Sequence, residues 1–292
     1  MKLGIISWNI RHLRPEKVSE YLDDIIPHLV VGRLVLLYEN KATNNKNNEL
    51  CDLLADSMAD WLDDANVEFT AMPVDVGTNE NVVAVWTSEC KTGPRSKFPN
   101  ADIRIDVDHN STWDAQLERD GWRAIRSSTN ETVMANVQQN KADFRIPAVL
   151  DVTIRRGDGT RRLRVAAWHA PGPATGLPPL MWRAFQNVLG NQVDLYVGDF
   201  NMTGLGQQTA QAITLMRTYQ STTITSDGMV NHDEGLDLVY RNALRVGDAT
   251  TQVNAMNGLI GRATVSVRNT ANFARAYKVS DHLPVYIEIK GL

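Results

Sequence analysis

The sequence predicts an α/β fold built on a central sheet. Short apolar runs of strand length alternate with amphipathic helical patterns through the first third. A hairpin signal, Gly157-Asp158-Gly159, joins two strand-like arms in the middle. Acids, amides, imidazoles and one guanidinium fall where strand-like segments begin or end.

Leu3–Asn9 reads as a strand ending in a polar residue. Pro15 then opens a helical pattern in which Val18, Leu22, Ile25 and Leu29 recur three to four apart. Arg33–Tyr38 is a buried strand followed by Glu39. Residues 44–48 form a polar loop, and Leu50, Leu53, Leu54, Trp61 and Leu62 mark a second amphipathic helix. Val67–Val74 and Asn81–Trp86 are two further strands joined by a turn containing Gly77. Residues from about 94 to 143 are polar, carry Trp113 and Trp122, and show no sustained period. They read as a long excursion with short elements of its own. Asp106–Leu117 opens like a calcium loop but has Ser111 where glycine is required and Leu117 where glutamate is required, so a solvated acidic turn is the better reading.

Phe144–Ile154 and Arg161–Trp168 are the arms of the hairpin. With the turn near residue 158, Arg145 and His169 lie at nearly equal distances from it and should sit side by side at its open end. Arg155, Arg156, Arg161, Arg162 and Arg164 cluster near the turn, up to ~40 Å away by strand rise. Like charge guarding an exposed edge explains them better than nucleic-acid contact. Pro178–Leu189 reads as a helix, and Gln192–Tyr196 as a buried strand leading into Gly198-Asp199-Phe200-Asn201. Gly204-Leu205-Gly206 lacks the third glycine of a dinucleotide fingerprint. Leu236–Tyr240 and Pro284–Ile289 are the last strands, the latter preceded by Ser280-Asp281-His282. No repeat or low-complexity tract divides the chain, and the expectation is one domain over 1–292.

Composition bounds the function classes. A net charge of −4 argues against a generic polyanion binder but leaves room for a local basic cleft. Cys51 and Cys90 match no zinc spacing and form no disulfide framework, which suits a reducing compartment or indifference to redox. No apolar stretch has the length of a membrane span, and the N-terminus lacks an apolar signal region. The expected location is therefore cytoplasmic, or exported without a cleavable signal peptide. Oligomeric state is not readable.

The polar residues at strand ends are Asn9, Glu39, Arg145, His169, Asp199, Asn201, Asp237, Asp281 and His282. Singly each has an ordinary explanation: a cap, a surface acid, a turn, a satisfied core histidine. Asp199 and Asn201, two apart, point to the same side of an extended chain and could share one phosphate or one hard cation. As a set, these residues suit a phosphodiester. Carboxylates hold Mg²⁺, an arginine neutralises phosphate, and a histidine moves a proton.

Seven short motifs in order give the chain a resemblance to the endonuclease/exonuclease/phosphatase superfamily, the fold of DNase I. They are Trp8-Asn9, Leu37-Tyr38-Glu39, Arg145-Ile146-Pro147, His169-Ala170-Pro171, Gly198-Asp199-Phe200-Asn201, Leu236-Asp237 and Ser280-Asp281-His282. The resemblance implies a four-layer αββα sandwich, two packed β-sheets flanked by helices, with the site at one rim. It implies that Asn9, Glu39 and Asp281 hold a divalent cation, normally Mg²⁺, with Mn²⁺ or Ca²⁺ as substitutes. Asp199 and Asn201 would orient water or phosphate, His282 would be general base or phosphate ligand, and Asp237 and His169 would assist. Arg145 would contact phosphate. One departure is Tyr38, where the family commonly has Gln before the glutamate.

The superfamily acts on several phosphate esters, so fold does not settle substrate. Inositol-polyphosphate phosphatases typically carry other residues around the second aspartate than Gly235-Leu236-Asp237-Leu238 and other residues after the Gly-Asp pair than Asn201-Met202-Thr203. The His-Ala-Pro and Arg-x-Pro runs resemble those of DNase I and cytolethal-toxin nucleases. The expected activity is an Mg²⁺-dependent endonuclease on DNA. The alternative is a phosphatase or phosphodiesterase on a phospholipid or small phosphate ester.

Overall fold

The computed structural model describes residues 2–42, 44–76, 80–91, 102–128, 144–172, 176–202, 213–216, 237–242, 245, 248–253 and 277–290. The expected Gly77 turn, the Gly204–Thr209 run, Leu236, and the flanks of the 94–143 excursion lie outside these residues. Strand β1 (Lys2–Leu13) is followed by helices α1 (Pro15–Glu20) and α2 (Leu22–Leu29), β2 (Leu34–Asn40), α3 (Asn44–Leu62), β3 (Val67–Val74) and β4 (Asn81–Cys90). Then come β5 (Ile103–His109), α4 (Asp114–Arg126), β6 (Ala148–Arg156), β7 (Gly159–Ala167), α5 (Pro178–Leu189) and β8 (Leu195–Asp199). Strands β9 (Ile213–Met216), β10 (Asp237–Asn242), β11 (Asp248–Val253) and β12 (Val285–Lys290) complete the fold. The architecture is α/β, as predicted.

Where two separate sheets are expected, the described strands form one continuous 12-stranded sheet, ordered β11-β12-β1-β2-β4-β5-β6-β7-β8-β10-β9, with β3 also paired to β4. The link between its halves is slight, since β4 and β5 pair only at Glu89↔Arg104 and Cys90↔Ile103. The sheet turns back on itself, and the Tyr38 hydroxyl on β2 donates to the Val197 carbonyl on β8 at 3.2 Å. Alternation along β1 decides what faces this interior. Leu3 and Ile5 pack inward with Leu34, Leu36 and Tyr38, whereas Ile6, Trp8 and Ile10 pack under α1, α2 and α3. Asn9, in step with Leu3 and Ile5, therefore ends the inward row at the rim. Gly198 permits the close approach of β8 to the chain after β7. A Cβ there would lie 2.0 Å from the Trp168 carbonyl oxygen, and its φ of 146° suits glycine.

Several expectations about single elements need correction. The helix expected from Pro15 to Leu29 is two, divided at Tyr21, whose φ and ψ of −118° and 31° leave the helical region. The polar loop at 44–48 is the first turn of α3, because Asn47 is buried and accepts a hydrogen bond from Asn40 at 2.9 Å. Neither Asn9 nor Glu39 terminates its strand. β1 runs on to Leu13 through an irregularity after Asn9, and β2 runs on to Asn40 with Glu39 at φ 57°. Residues 103–126 carry elements of their own, as expected of the 94–143 stretch. β5 carries the sheet from β4 to β6, and α4 buries Leu117, Gly121 and Ile125. No helix among the described residues is long and apolar enough to cross a membrane. Both cysteines are buried and free.

His28 on α2 supplies a stability handle. It is buried edge-on against Trp8, with centroids 5.8 Å apart, and burial pushes its imidazole down to about 4. The unfolded chain then binds the extra proton between pH 6.5 and 4, so the folded state loses stability as pH falls through that window. The loss approaches about 3 kcal/mol when complete. Melts of the wild type and His28→Phe between pH 7 and 4 should show a steeper acid decline for the wild type; parallel curves would show that His28 does not titrate this way.

Candidate active site

The hairpin register places the first pair of site residues. Arg156 pairs with Gly159 and Ala148 with Ala167, so the arms continue past the sheet with Arg145 opposite Ala170. Arg145 Nη1 donates to the Ala170 carbonyl at 3.2 Å and lies 3.0 Å from His169 Nδ1. The Arg145 carbonyl accepts from Trp168 Nε1 at 2.9 Å, which closes the open end. Arg145 and His169 are thus side by side, as the turn position predicts.

Strand pairing places the second group. Asp237 begins β10 directly across from Asp199 at the end of β8. Asp199 is buried, accepts from Asn9 Nδ2 at 2.9 Å through Oδ2, and accepts from the Asn201 backbone N–H at 3.0 Å through Oδ1. Asn201 has φ 48° and donates from Nδ2 to the Ala170 carbonyl at 2.9 Å, which ties the β8 loop to the hairpin end. His282 Nδ1 lies 2.8 Å from Asp237 Oδ2 and Nε2 lies 3.5 Å from Asp199 Oδ2. Burial opposes charge on this imidazole, but the Asp237 and Asp199 carboxylates outweigh it and push its pKa up to about 10. Ser280 fixes the turn: its hydroxyl donates to the Asn9 carbonyl at 2.5 Å and accepts from the His282 N–H at 3.0 Å. Trp8 Nε1 donates to the His282 carbonyl at 2.8 Å.

Glu80 is the participant that sequence reasoning misses. It is buried, with Oε2 3.1 Å from His169 Nδ1 and 3.2 Å from Arg145 Nη2, and Lys41 donates to Oε1. Burial alone would raise this carboxyl, but His169, Arg145 and Lys41 outweigh it and hold it down to about 2. Nδ1 of His169 has a carboxylate and a guanidinium at nearly equal distance. Nδ1 can therefore donate to the carboxylate or accept from the guanidinium, so either tautomer is satisfied at this end of the ring. Nε2 faces Asp199 at 3.7 Å, Glu39 at 3.9 Å and the Asn9 amide at 3.5 Å. Two histidines, each backed by a buried acid, converge on one side of Asp199.

Glu39 and Asp281 stand at the more open edge. Glu39 Oε2 accepts from the His12 backbone N–H at 2.9 Å. Both carboxylates act on the same neighbour, Lys17, whose amine burial nevertheless pushes down to about 8. Tyr38, at the place of the usual Gln, is fully buried and bonded to Ser7 as well as Val197. It braces β2 against β8 behind Glu39, and burial raises its pKa.

Of the residues expected to hold a cation, Asn9 and Glu39 present oxygens that suit a hard one. Asn9 Oδ1 is buried without a hydrogen-bond partner, and an oxygen in that state suits an oxygen-seeking ion. Glu39 is nearby, since it and Asn9 both approach His169 Nε2. Asp199, Asp237 and His282 also present ligand atoms within 4.8 Å of one another. There the imidazole already bridges the carboxylates, so an ion would have to displace its proton.

No family model and no curated protein matches the chain. Among solved structures, a functionally unknown conserved protein from Enterococcus faecalis V583 is similar with a TM-score of 0.55 and 13% identity, over 99% of this chain and 100% of that one. A humanized D. rerio TDP2 with 14 mutations gives 0.51 and 11%, over 99% of each chain. An endonuclease/exonuclease/phosphatase from Bacteroides vulgatus gives 0.50 and 11%, again over 99% of each. The chain has the endonuclease/exonuclease/phosphatase fold, which is DNase I-like, as its motifs predict.

Proposed function

We propose that the chain is a divalent-metal-dependent phosphodiesterase acting as an endonuclease on DNA. The observation that carries this is the convergence of the Glu80–His169 and Asp237–His282 pairs on Asp199, beside the unpartnered oxygen of Asn9. In this reading residues 1–292 form one domain and the turned-back sheet is the core of a four-layer αββα sandwich. Asn9, Glu39 and Asp281 would hold the cation, normally Mg²⁺. When bound, it would polarise a phosphoryl oxygen. Asp199 and Asn201 orient the attacking water or the phosphate. His282, steadied by Asp237, and His169, steadied by Glu80, bind the charge that develops on the phosphoryl oxygens and handle the proton. Arg145 reaches the phosphate from the hairpin end. The preference for DNA rests on the His-Ala-Pro and Arg-x-Pro motifs.

Plasmid DNA and phosphate-release assays, each run with Mg²⁺ and with EDTA, test the reading. Nicking that requires Mg²⁺, without phosphate release from small monoesters, is expected. Release from inositol phosphates or other small esters with intact plasmid would favour the alternative, a phosphatase on a phospholipid or small phosphate ester. A second test uses the hairpin. Arg145→Ala should lower activity on the order of 10²-fold, the scale for losing a preorganised donor to a transition-state oxygen. Arg161→Ala and Arg162→Ala should have little effect on turnover, because they lie at the far tip. Equal losses would show that the tip belongs to the site.

A further inference from the structure

We propose that Arg11 and Tyr277 form a second phosphate subsite beside the reacting centre, one that selects a polynucleotide over an isolated phosphate ester. The inference rests on the phosphodiesterase reading and narrows its substrate. Arg11 lies two residues beyond Asn9, in the part of β1 that the sequence does not predict. Its backbone is fastened at both polar atoms. The N–H approaches Ser280 Oγ at 3.5 Å, and the carbonyl accepts from Lys17 Nζ. The next residue, His12, donates to Glu39. The strand end is therefore stitched to both edges of the expected cation site.

The side chain is held by a neutral group. Arg11 Nη1 donates to the Tyr277 hydroxyl at 2.9 Å, with Cζ 5.4 Å from the ring centroid. Tyr277 packs against the apolar cluster beneath α1, α2 and α3, so it is an anchored platform. A guanidinium has five N–H donors, and one phenol occupies one of them. Among the described residues its close side-chain partner is this phenol and not a carboxylate. Glu39 and Asp281 act on it only through the longer-range field, and a bound cation would screen even that. The result is an oriented fork with its charge available, which is what bidentate phosphate recognition requires. A small ester places one phosphate in the reacting centre and leaves this fork empty. A polynucleotide supplies a flanking phosphate as well. Tyr277 is thus a positioning residue that acts through Arg11.

The test compares wild type, Tyr277→Phe, Arg11→Gln and the double variant on a duplex oligonucleotide and on bis(4-nitrophenyl) phosphate. For the duplex, KM should rise roughly tenfold in Arg11→Gln and by a smaller factor in Tyr277→Phe, with kcat held, and the double variant should be no worse than Arg11→Gln. Loss of one phosphate contact should reduce the salt slope of duplex binding by about 0.9. The small diester should show neither change. Equal losses on both substrates, or an unchanged salt slope, would overturn the subsite. Additive effects in the double variant would remove Tyr277 from it. Anisotropy of a labelled duplex in EDTA reads the same affinities without turnover. If the wild type hydrolysed neither substrate the phosphodiesterase reading would fail, while the anisotropy series would still decide whether Arg11 and Tyr277 bind a polynucleotide.

Discussion

His282→Ala should lower kcat by roughly 10²-fold or more, the usual scale of general acid–base catalysis. The change also costs stability, because Asp237 and Asp199 are both buried and both face this imidazole. Stranding a buried charge by removing its partner costs on the order of 3–5 kcal/mol. Activity must therefore be compared per folded molecule, at a temperature where thermal melts show the variant to be native. His169→Ala should lower kcat alike but cost less stability, since Glu80 loses one partner and keeps Arg145 and Lys41. The double variant should lose less than the product of the two single losses, because groups acting on one phosphate are not independent. If both residues were merely core histidines, activity would follow the folded fraction in all three variants. That outcome would remove both from catalysis.

The parts of the site legible in the sequence are those fixed by local geometry. A two-residue turn at Gly157-Asp158 sets the register of β6 and β7, so counting back from it finds Arg145 beside His169. The apolar run into Gly198-Asp199 marks the end of β8, which closes on Asp199 at the rim. Glu80 was illegible for the opposite reason. No pattern marks it in the stretch between β3 and β4, and it is its packing against Arg145 and His169 that makes it buried. The end of β1 is not legible because Arg11 and His12 interrupt the apolar run. Their backbones are satisfied by Ser280 and Glu39, partners far away in the chain. Helix α4 shows no sustained apolar period because its buried stripe, Leu117, Gly121 and Ile125, includes a glycine. A Cβ at Gly121 would lie 2.9 Å from Phe144 and 3.1 Å from Phe185, so the absence of a side chain is what lets the helix approach. An apolar period cannot show a position that is buried by being empty.

Glu39→Gln should abolish most activity while leaving the fold in place. The side chain keeps its shape, and an amide oxygen can still accept from the His12 N–H that Glu39 Oε2 accepts from now. What disappears is the negative charge at the edge where Asn9 Oδ1 waits unpartnered and where Lys17 brings a positive charge close. With Glu39 neutral, that amine repels an incoming divalent ion with one carboxylate fewer to offset it. Mg²⁺ affinity by titration calorimetry should fall, and turnover should fall by at least roughly 10²-fold, since the Lewis-acid contribution of a bound cation is worth several kcal/mol. Raising Mg²⁺ should restore part of the loss if affinity is the main defect. The melting temperature in EDTA should stay close to that of the wild type, because no buried partner is stranded. Wild-type rates at saturating Mg²⁺ together with unchanged affinity would exclude Glu39 as a ligand and shift attention to the group formed by Asp199, Asp237 and His282, the other place where ligand atoms converge.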